Sequence, residues 1–391
     1  MNPRRIRAVV VLLLVGGVVT WLVWGGRVVV PSLRVPVADA HAPPRFEAFV
    51  GKQTCTECHA AEAERHATSG HARTFHRTAD FPAAKRLAGQ VFPDPVRKVF
   101  FRYEDGPPEG LRVFIPGLFD DDAFPLQYVL GSNTHAATFL TLLPTLDGQT
   151  AGIEHRVSLY GEATGLTPGQ RDMVPQEDVQ QFGASQDPQT ARACVGCHTT
   201  HFEIVNHDLR NLIANVECES CHGPGRDHVE SMRQDRPDRL IQSLVASDRK
   251  SSLEQIRSCG RCHRLPEDLL PEKLRPENWK LVRYQSVGML MSDCFTKSQG
   301  AFACSTCHEP HESSRTHSAV SQQACLKCHA PEAKDVATCP ITKTDNCLDC
   351  HMPKVEIHKG IDFRDHWIRV HKPEEAAKVD REETDHAVKD K

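Results

Sequence analysis

The sequence predicts a mainly α chain with extensive loops, a small β-insert and a single N-terminal transmembrane helix. Three observations carry this expectation. A Cys-x-x-Cys-His pattern recurs seven times, amid helix formers and Pro- or Gly-rich loops. The stretch from Phe81 to Thr167 lacks the pattern and is rich in β-branched and aromatic residues with turns between them. An uncharged apolar run follows three arginines near the start.

The seven copies are Cys55/Cys58/His59, Cys194/Cys197/His198, Cys218/Cys221/His222, Cys259/Cys262/His263, Cys304/Cys307/His308, Cys325/Cys328/His329 and Cys347/Cys350/His351. With 16 Cys and 22 His in 391 residues, random placement predicts about 0.04 copies. Two cysteines three apart reach both vinyl groups along one porphyrin edge. The adjacent histidine then falls beneath the iron as its proximal ligand. The spacing therefore implies seven covalently bound c-type haems, stacked within the loops and helices. The densest stretch, Cys194 to His228, holds two motifs and a later free histidine, and reads as a paired haem site. Tetrathiolate zinc is the competing chemistry, but it does not require a histidine after every second cysteine.

Composition agrees. A hydrophobic content of 39% and an aromatic content of 6% are low for ordinary cores in a chain this long, and porphyrin would supply the missing apolar surface. The formal charge of −4 and the lack of a long basic run beyond the N-terminus exclude a nucleic-acid partner.

Residues 1–27 place Arg4, Arg5 and Arg7 before the run Ala8–Gly26, whose length of about 28 Å as a helix matches a bilayer core. It is expected to anchor the chain in the inner membrane facing the periplasm. The alternative is a signal peptide cleaved near Ala38-Asp39-Ala40. Residues 28–48 form a Pro-rich tether. Residues 49–80 make the first haem segment, with two short helices after His59. Residues 81–167 make the β-rich insert, with a hairpin around Asp105 to Gly110 and strands in FPLQYVLGSNTHAATFLTLL and AGIEHRVSLYG. Residues 168–371 carry six motifs whose first cysteines lie 24, 41, 45, 21 and 22 residues apart. Ser251-x-x-Glu254 is a capping box that should start a helix running into the fourth motif. The polar tail, 372–391, reads as a frayed helix or disordered.

Seven proximal histidines leave fifteen others, and low-spin electron-transfer haems need a second axial ligand. His228 and His311 are the leading candidates, because Gly and Pro beside them make turns that swing a side chain over a neighbouring haem. His71, His135 and His366 come next. His358, His201, His76 and His66 compete for the remaining positions. His155 in the insert, His41 in the tether and His386 in the tail read as ordinary histidines, and Met352 as packing. Two cysteines fall outside the motifs, Cys294 and Cys339. An oxidising compartment favours a disulfide between them, with a thiolate ligand or a sulfur-accepting nucleophile as the alternative.

At these residues the chain resembles the multihaem cytochrome c superfamily that includes small tetrahaem cytochromes and hydroxylamine-oxidoreductase-like proteins. The features are ATSGH after the first motif, CVGCH with CESCHGPGRDH, then CSTCHEPH, CLKCHAP and CLDCHMPK followed by FRDHWIRV. The resemblance covers about 49–371. It implies distal-ligand roles for His71, His228 and His311, and a structural pairing of Cys294 with Cys339. The chain departs from pentahaem nitrite reductases in lacking Cys-x-x-Cys-Lys, and from octahaem oxidoreductases in motif count.

These readings imply an electron carrier between a membrane or quinol-linked donor and a periplasmic acceptor, working with redox partner proteins. No acid/base pair of recognisable spacing argues for catalysis. The alternative is an oxidoreductase of a small nitrogen or sulfur compound with one open haem iron, over which Tyr128, Tyr160 or His155 would lie.

Overall fold

The structure, a computed structural model, describes residues 44–371 apart from 109, 236–250, 314–317, 334–337, 343 and 359–360. The run Ala8–Gly26, the tether up to residue 43 with His41, and the tail 372–391 with His386 lie outside the described residues. The described residues from Arg45 onward cluster as one compact unit.

A first strand, β1 (Phe75–Arg77), precedes a four-stranded antiparallel sheet of β2 (Val91–Pro93), β3 (Phe100–Glu104), β4 (Arg112–Ile115) and β5 (Phe119–Pro125). In β3 the side chains alternate, with Phe101 and Tyr103 fully buried and Phe100 and Glu104 outside, as a half-covered strand requires. β3 and β4 pair antiparallel, Glu104 opposite Arg112, in the expected hairpin. A second sheet has the order β1-β6-β7-β8-β10, with β9 added on β8. Its strands are β6 (Tyr128–Leu130), β7 (Ala137–Pro144), β8 (Thr150–Tyr160), β9 (Ala163–Leu166) and β10 (Gly183–Gln186).

The two sheets enclose the main core, in which Tyr103, Val113 and Ile115 meet Phe139, Ile153 and Val157. On the other face of β7 and β8, Leu140 and Leu142 pack on Ala191 and Val195 of the helix Pro188–His198. Covered on both sides, these strands are buried nearly throughout. Gly152 permits the contact, since a Cβ there would stand 3.2 Å from the Ala191 Cβ and 3.0 Å from Leu140 Cδ1. The insert thus fixes the helix that carries the second motif. That helix begins at Asp187, whose Oδ1 accepts from the amides of Gln189 and Thr190 at 2.9 and 3.0 Å, with Pro188 in its first turn.

Two hairpins follow motifs where none was expected. β11 (Thr199–Val205) and β12 (Asp208–Ala214) turn at Asn206 and His207, both left-handed at φ 50° and 61°, the geometry of a type I′ turn. β13 (Lys354–His358) pairs with β14 (Ile361–Arg364) after the seventh motif.

The expected mainly α class is therefore corrected. The described residues are about 35% helix and 24% strand, in several sheets, and the β structure reaches well past a small insert. The reason is that the motif helices end as soon as the histidine is delivered. Ser252–His263 is the longest among the described residues, at 12 residues. No helix among them is long and apolar enough to cross a membrane, so the expected transmembrane helix is no part of the described fold.

Candidate haem-binding site

Each motif is a single helical turn or less. The amides of His59, His308 and His329 donate to the carbonyls of Cys55, Cys304 and Cys325, each at 2.9 Å, which holds both cysteines and the histidine on one side of the chain. The fourth motif ends a helix with the expected capping box. Ser251 Oγ accepts from the Glu254 amide at 3.3 Å, and Glu254 Oε2 accepts from the Ser251 amide at 2.8 Å.

Four motif histidines stand opposite a histidine from another segment. The ring centroids of His59 and His228 are 6.3 Å apart, those of His263 and His71 6.2 Å, those of His222 and His311 6.2 Å, and those of His308 and His366 6.1 Å. An iron bonded to one nitrogen of each ring, with bonds of about 2 Å, places the centroids roughly 6 Å apart. The spacing is thus too wide for ring stacking and right for one metal between two imidazoles. The rings are also held by their other nitrogen. Nδ1 of His263 meets Gln285 Oε1 at 2.9 Å, that of His311 meets Glu309 Oε1 at 2.7 Å, and that of His366 meets the Arg364 carbonyl at 2.9 Å. Such bonds fix ring orientation and leave Nε2 for the metal. Burial pushes His71 and His366 down to about 4, so both are neutral near pH 7, the form that binds a metal.

The cysteines bring the motifs together. Thiols of Cys55 and Cys218 share a hydrogen bond, as do those of Cys197 and Cys262 and those of Cys259 and Cys304. Arg261 Nη2 donates to the Ser220 carbonyl at 2.9 Å. The first motif therefore adjoins the third, the second adjoins the fourth, and the fourth also adjoins the third and the fifth. The residues present fit covalently attached haem: paired thiols at each turn, an imidazole on one side and, at four turns, a second imidazole across a gap of metal width.

In five of the seven motifs the two cysteines are not equivalent. The second cysteines Cys58, Cys221 and Cys350 are exposed, as are Cys262 and Cys328, whereas the first cysteines Cys55, Cys218 and Cys347 are half-buried. The reason lies in the turn itself. In the first motif the first cysteine is covered by Cys218 of the third, and the second, three residues on, comes round to the uncovered side. A haem attached at the first, third or seventh motif would thus keep the edge beside Cys58, Cys221 or Cys350 at the protein surface.

The other expected site residues are placed as follows. His198 Nδ1 meets the Thr74 carbonyl at 3.0 Å, and His351 Nδ1 meets that of Arg369 at 3.1 Å. Among the described residues neither ring stands opposite a second imidazole. His135 stacks on Phe363 at 5.3 Å. His201 bonds the Asn211 carbonyl, and His76 stacks on Phe81. His155 lies in the β-core between Tyr103 Oη and the Phe182 carbonyl. His358 ends β13. Met352 closes the last motif helix through its amide. The disulfide expected between Cys294 and Cys339 is not formed, and both are free thiols. Cys294 lies on the short helix Asp293–Lys297 beside Cys328, where burial raises its thiol, whereas Cys339 takes amide bonds from Thr342 and Ile341.

One important residue carried no signal of its own. Glu219, a variable position of the third motif, is buried. Its Oε1 accepts from the amides of Val50 and Gly225 at 2.9 and 2.7 Å, and its Oε2 from that of Gly51 at 2.9 Å. It clamps the helix of the first motif and the turn before His228 onto the third motif.

The family model for cytochrome c554 and c-prime matches residues 168–223, which hold the second and third motifs. The match supports a multihaem c-type cytochrome. Among solved structures, the outer cell wall cytochrome OcwA is similar over 85% of this chain and 82% of its own, at 15% identity and a TM-score of 0.45. That likeness is too distant to bear on function. No curated protein sequence matches the chain.

Proposed function

We propose that the chain is a seven-haem electron carrier of an extracytoplasmic compartment, moving electrons between a quinol-linked donor and a redox partner protein. The observation that carries this reading is the set of four imidazole pairs at 6.1–6.3 Å. An iron closed on both faces exchanges electrons without binding substrate. The haem supplies the redox change, and the chain supplies rigid ligands, spacing and shelter from water. Gln285, Glu309 and the Arg364 carbonyl keep the rings from turning. Thiol contacts join the first motif to the third, the second to the fourth and the fourth to the fifth, and Arg261 joins the fourth to the third, so haems held there would lie in series. An extracytoplasmic location is supported by the arginine-flanked apolar run at the N-terminus, which suits export, and by the covalent attachment chemistry itself.

The test is pyridine haemochrome quantitation with low-temperature EPR of the oxidised protein. Seven haems, predominantly low-spin and unmoved by cyanide or nitrite, are expected. A lower haem content, or a mainly high-spin protein, overturns the reading.

A second reading, an oxidoreductase of a small nitrogen or sulfur compound, is favoured by His198, which faces no imidazole among the described residues. Its motif packs against β8, where Glu154 is held by Gln170 and Gln186, each at 3.3 Å. Burial raises the Glu154 carboxyl, as suits a proton donor. A high-spin signal that shifts with nitrite would select this reading.

A further inference from the structure

The fourth, fifth and seventh motifs lean on two stretches that carry no motif of their own, the helix Gln285–Met291 and the irregular strap from residue 365 to residue 369 that follows β14. The helix is buried from Ser286 to Met289. Its Gln285 orients His263 of the fourth motif. Three residues on, Gly288 meets the strap. A Cβ at Gly288 would stand 2.6 Å from the Trp367 amide nitrogen, 2.7 Å from the His366 carbonyl carbon and 3.1 Å from the His366 Cβ. Two of those neighbours are backbone atoms, which cannot turn aside as a flexible side chain can. Glycine at 288 therefore lets the strap settle deep enough for the His366 ring to stand 6.1 Å from that of His308.

The same strap reaches the seventh motif. The Asp365 amide donates to the Pro353 carbonyl at 3.0 Å, and the Arg369 amide to the His351 carbonyl at 3.4 Å. His351 Nδ1 donates back to the Arg369 carbonyl at 3.1 Å. The strap is also braced from within. Asp365 Oδ1 accepts from the Trp367 amide at 2.8 Å, and Oδ2 from Arg369 Nη1 at 2.7 Å. Arg369 Nη2 donates to the Pro276 carbonyl at 3.2 Å. Only Trp367 and Ile368 separate the imidazole facing the fifth motif from the carbonyl that aims the proximal ring of the seventh. In so short and braced a span, His366 cannot withdraw without drawing Arg369 with it.

We propose that Gly288 is a positioning residue for two haems at once. By seating the strap, it lets His366 complete the coordination of the fifth iron and lets the Arg369 carbonyl aim His351 at the seventh. This rests on the multihaem electron-carrier reading and adds to it a mechanical link between two ligand sets. An axial imidazole answers to the partner of its other nitrogen, so a shift of that carbonyl changes how His351 holds its iron. The link runs through backbone, unlike the electrostatic influence that one haem exerts on the next.

The test compares the full haem-loaded wild type with Gly288→Ala and His366→Ala, by EPR, cyanide binding and spectroelectrochemical titration. His366→Ala removes the ligand and leaves the strap seated. It should open one iron per chain, seen as a high-spin signal and one bound cyanide. Gly288→Ala should open the same iron and also displace a second haem that His366→Ala leaves in place, by about threefold in its reduction equilibrium, or roughly 30 mV for one electron. Added imidazole should return the opened iron to low spin in both variants, and the second haem of Gly288→Ala should stay displaced. Should Gly288→Ala fail to hold haem, Asp365→Ala, which unpins the Trp367 amide and the Arg369 side chain, carries the same expectation. A Gly288→Ala protein with every iron still as in wild type overturns the proposal. So does a second haem that moves equally in His366→Ala, since that shift would be electrostatic. Pyridine haemochrome of the wild type separates the two failures. Intact low-spin haem without the paired response removes only the link, whereas absence of covalent haem removes the carrier reading with it.

Discussion

His222 and His311 face each other with ring planes inclined by only 4° at a centroid separation of 6.2 Å, whereas His263 and His71, at the same separation, are inclined by 76°. Ring orientation decides how two imidazoles split the iron d orbitals. Parallel planes reinforce one direction, and crossed planes cancel. The oxidised protein should therefore show a well-resolved rhombic low-spin EPR signal from the first pair, and a broad signal with a large leading g value from the second. His71→Ala should remove the broad signal alone and add a high-spin one. Loss of the rhombic signal instead would reverse the assignment.

Glu219→Ala leaves the amides of Val50, Gly51 and Gly225 without their acceptor. Hydrogen bonds to a charged group contribute about 1.5–3 kcal/mol each and are not additive, so a loss of roughly 2–4 kcal/mol is expected. Urea unfolding followed through far-ultraviolet circular dichroism reads it. Glu219→Gln, which keeps one acceptor oxygen, should lose less.

Burial lowers His155 to about 3, with Arg156 adding to the effect and the Phe182 carbonyl opposing it. The unfolded chain takes up this proton near 6.5 and the folded chain only near 3. The stabilisation is thus complete above pH 6.5, declines as pH falls, and is gone below about 3. Stability should fall by about 1.4 kcal/mol per pH unit within that window on this account. His155→Phe should abolish that component, as urea midpoints at pH 7 and pH 5 would show.

Arg156 and Asp94 form an ion pair with no exposed side-chain surface. Arg156 also donates to the carbonyls of Gln170 and Arg171. Burial alone would raise the Asp94 carboxyl, but the Arg156 hydrogen bond and the amides of Arg97 and Val96 hold it below the ordinary range. Asp94→Asn leaves a buried guanidinium uncompensated and should cost about 3–5 kcal/mol, and a double replacement by apolar residues much less. A thermal melt of the single and double variants compares the two.

The sequence carried more of the local chemistry than of the architecture. Of the four histidines that face a motif histidine, His366 follows Arg364-Asp365 with no Gly or Pro beside it, whereas the other three stand beside a turn, as in Ser69-Gly70-His71, Gly223-Pro224-Gly225 before His228, and Pro310-His311, because a turn frees a side chain to reach across. His135 had a similar setting and packs on Phe363 instead. The Thr199–Ala214 hairpin went unread because its two strands sit between motifs and were absorbed into a haem segment, although Asn206-His207 is a reasonable turn. Glu219 was invisible for a different reason. Its role depends on Val50 and Gly225, which only the folded chain brings near. Nor does motif spacing tell which thiol of a pair faces outward, since that depends on the segment packed against each turn.

The four facing pairs have a topological consequence. His59 with His228, His71 with His263, His222 with His311, and His308 with His366 make four loops, and each loop opens before the previous one closes. Bridged by metal, they form a chain stitch, in which every peptide bond from residue 59 to residue 366 is spanned by at least one iron. A single proteolytic nick in that range would leave both fragments joined in native buffer and part them only in acid or under strong denaturation. By the same logic, a nascent chain holding only its first haem cannot complete the coordination of that iron until the stretch around His228 has emerged.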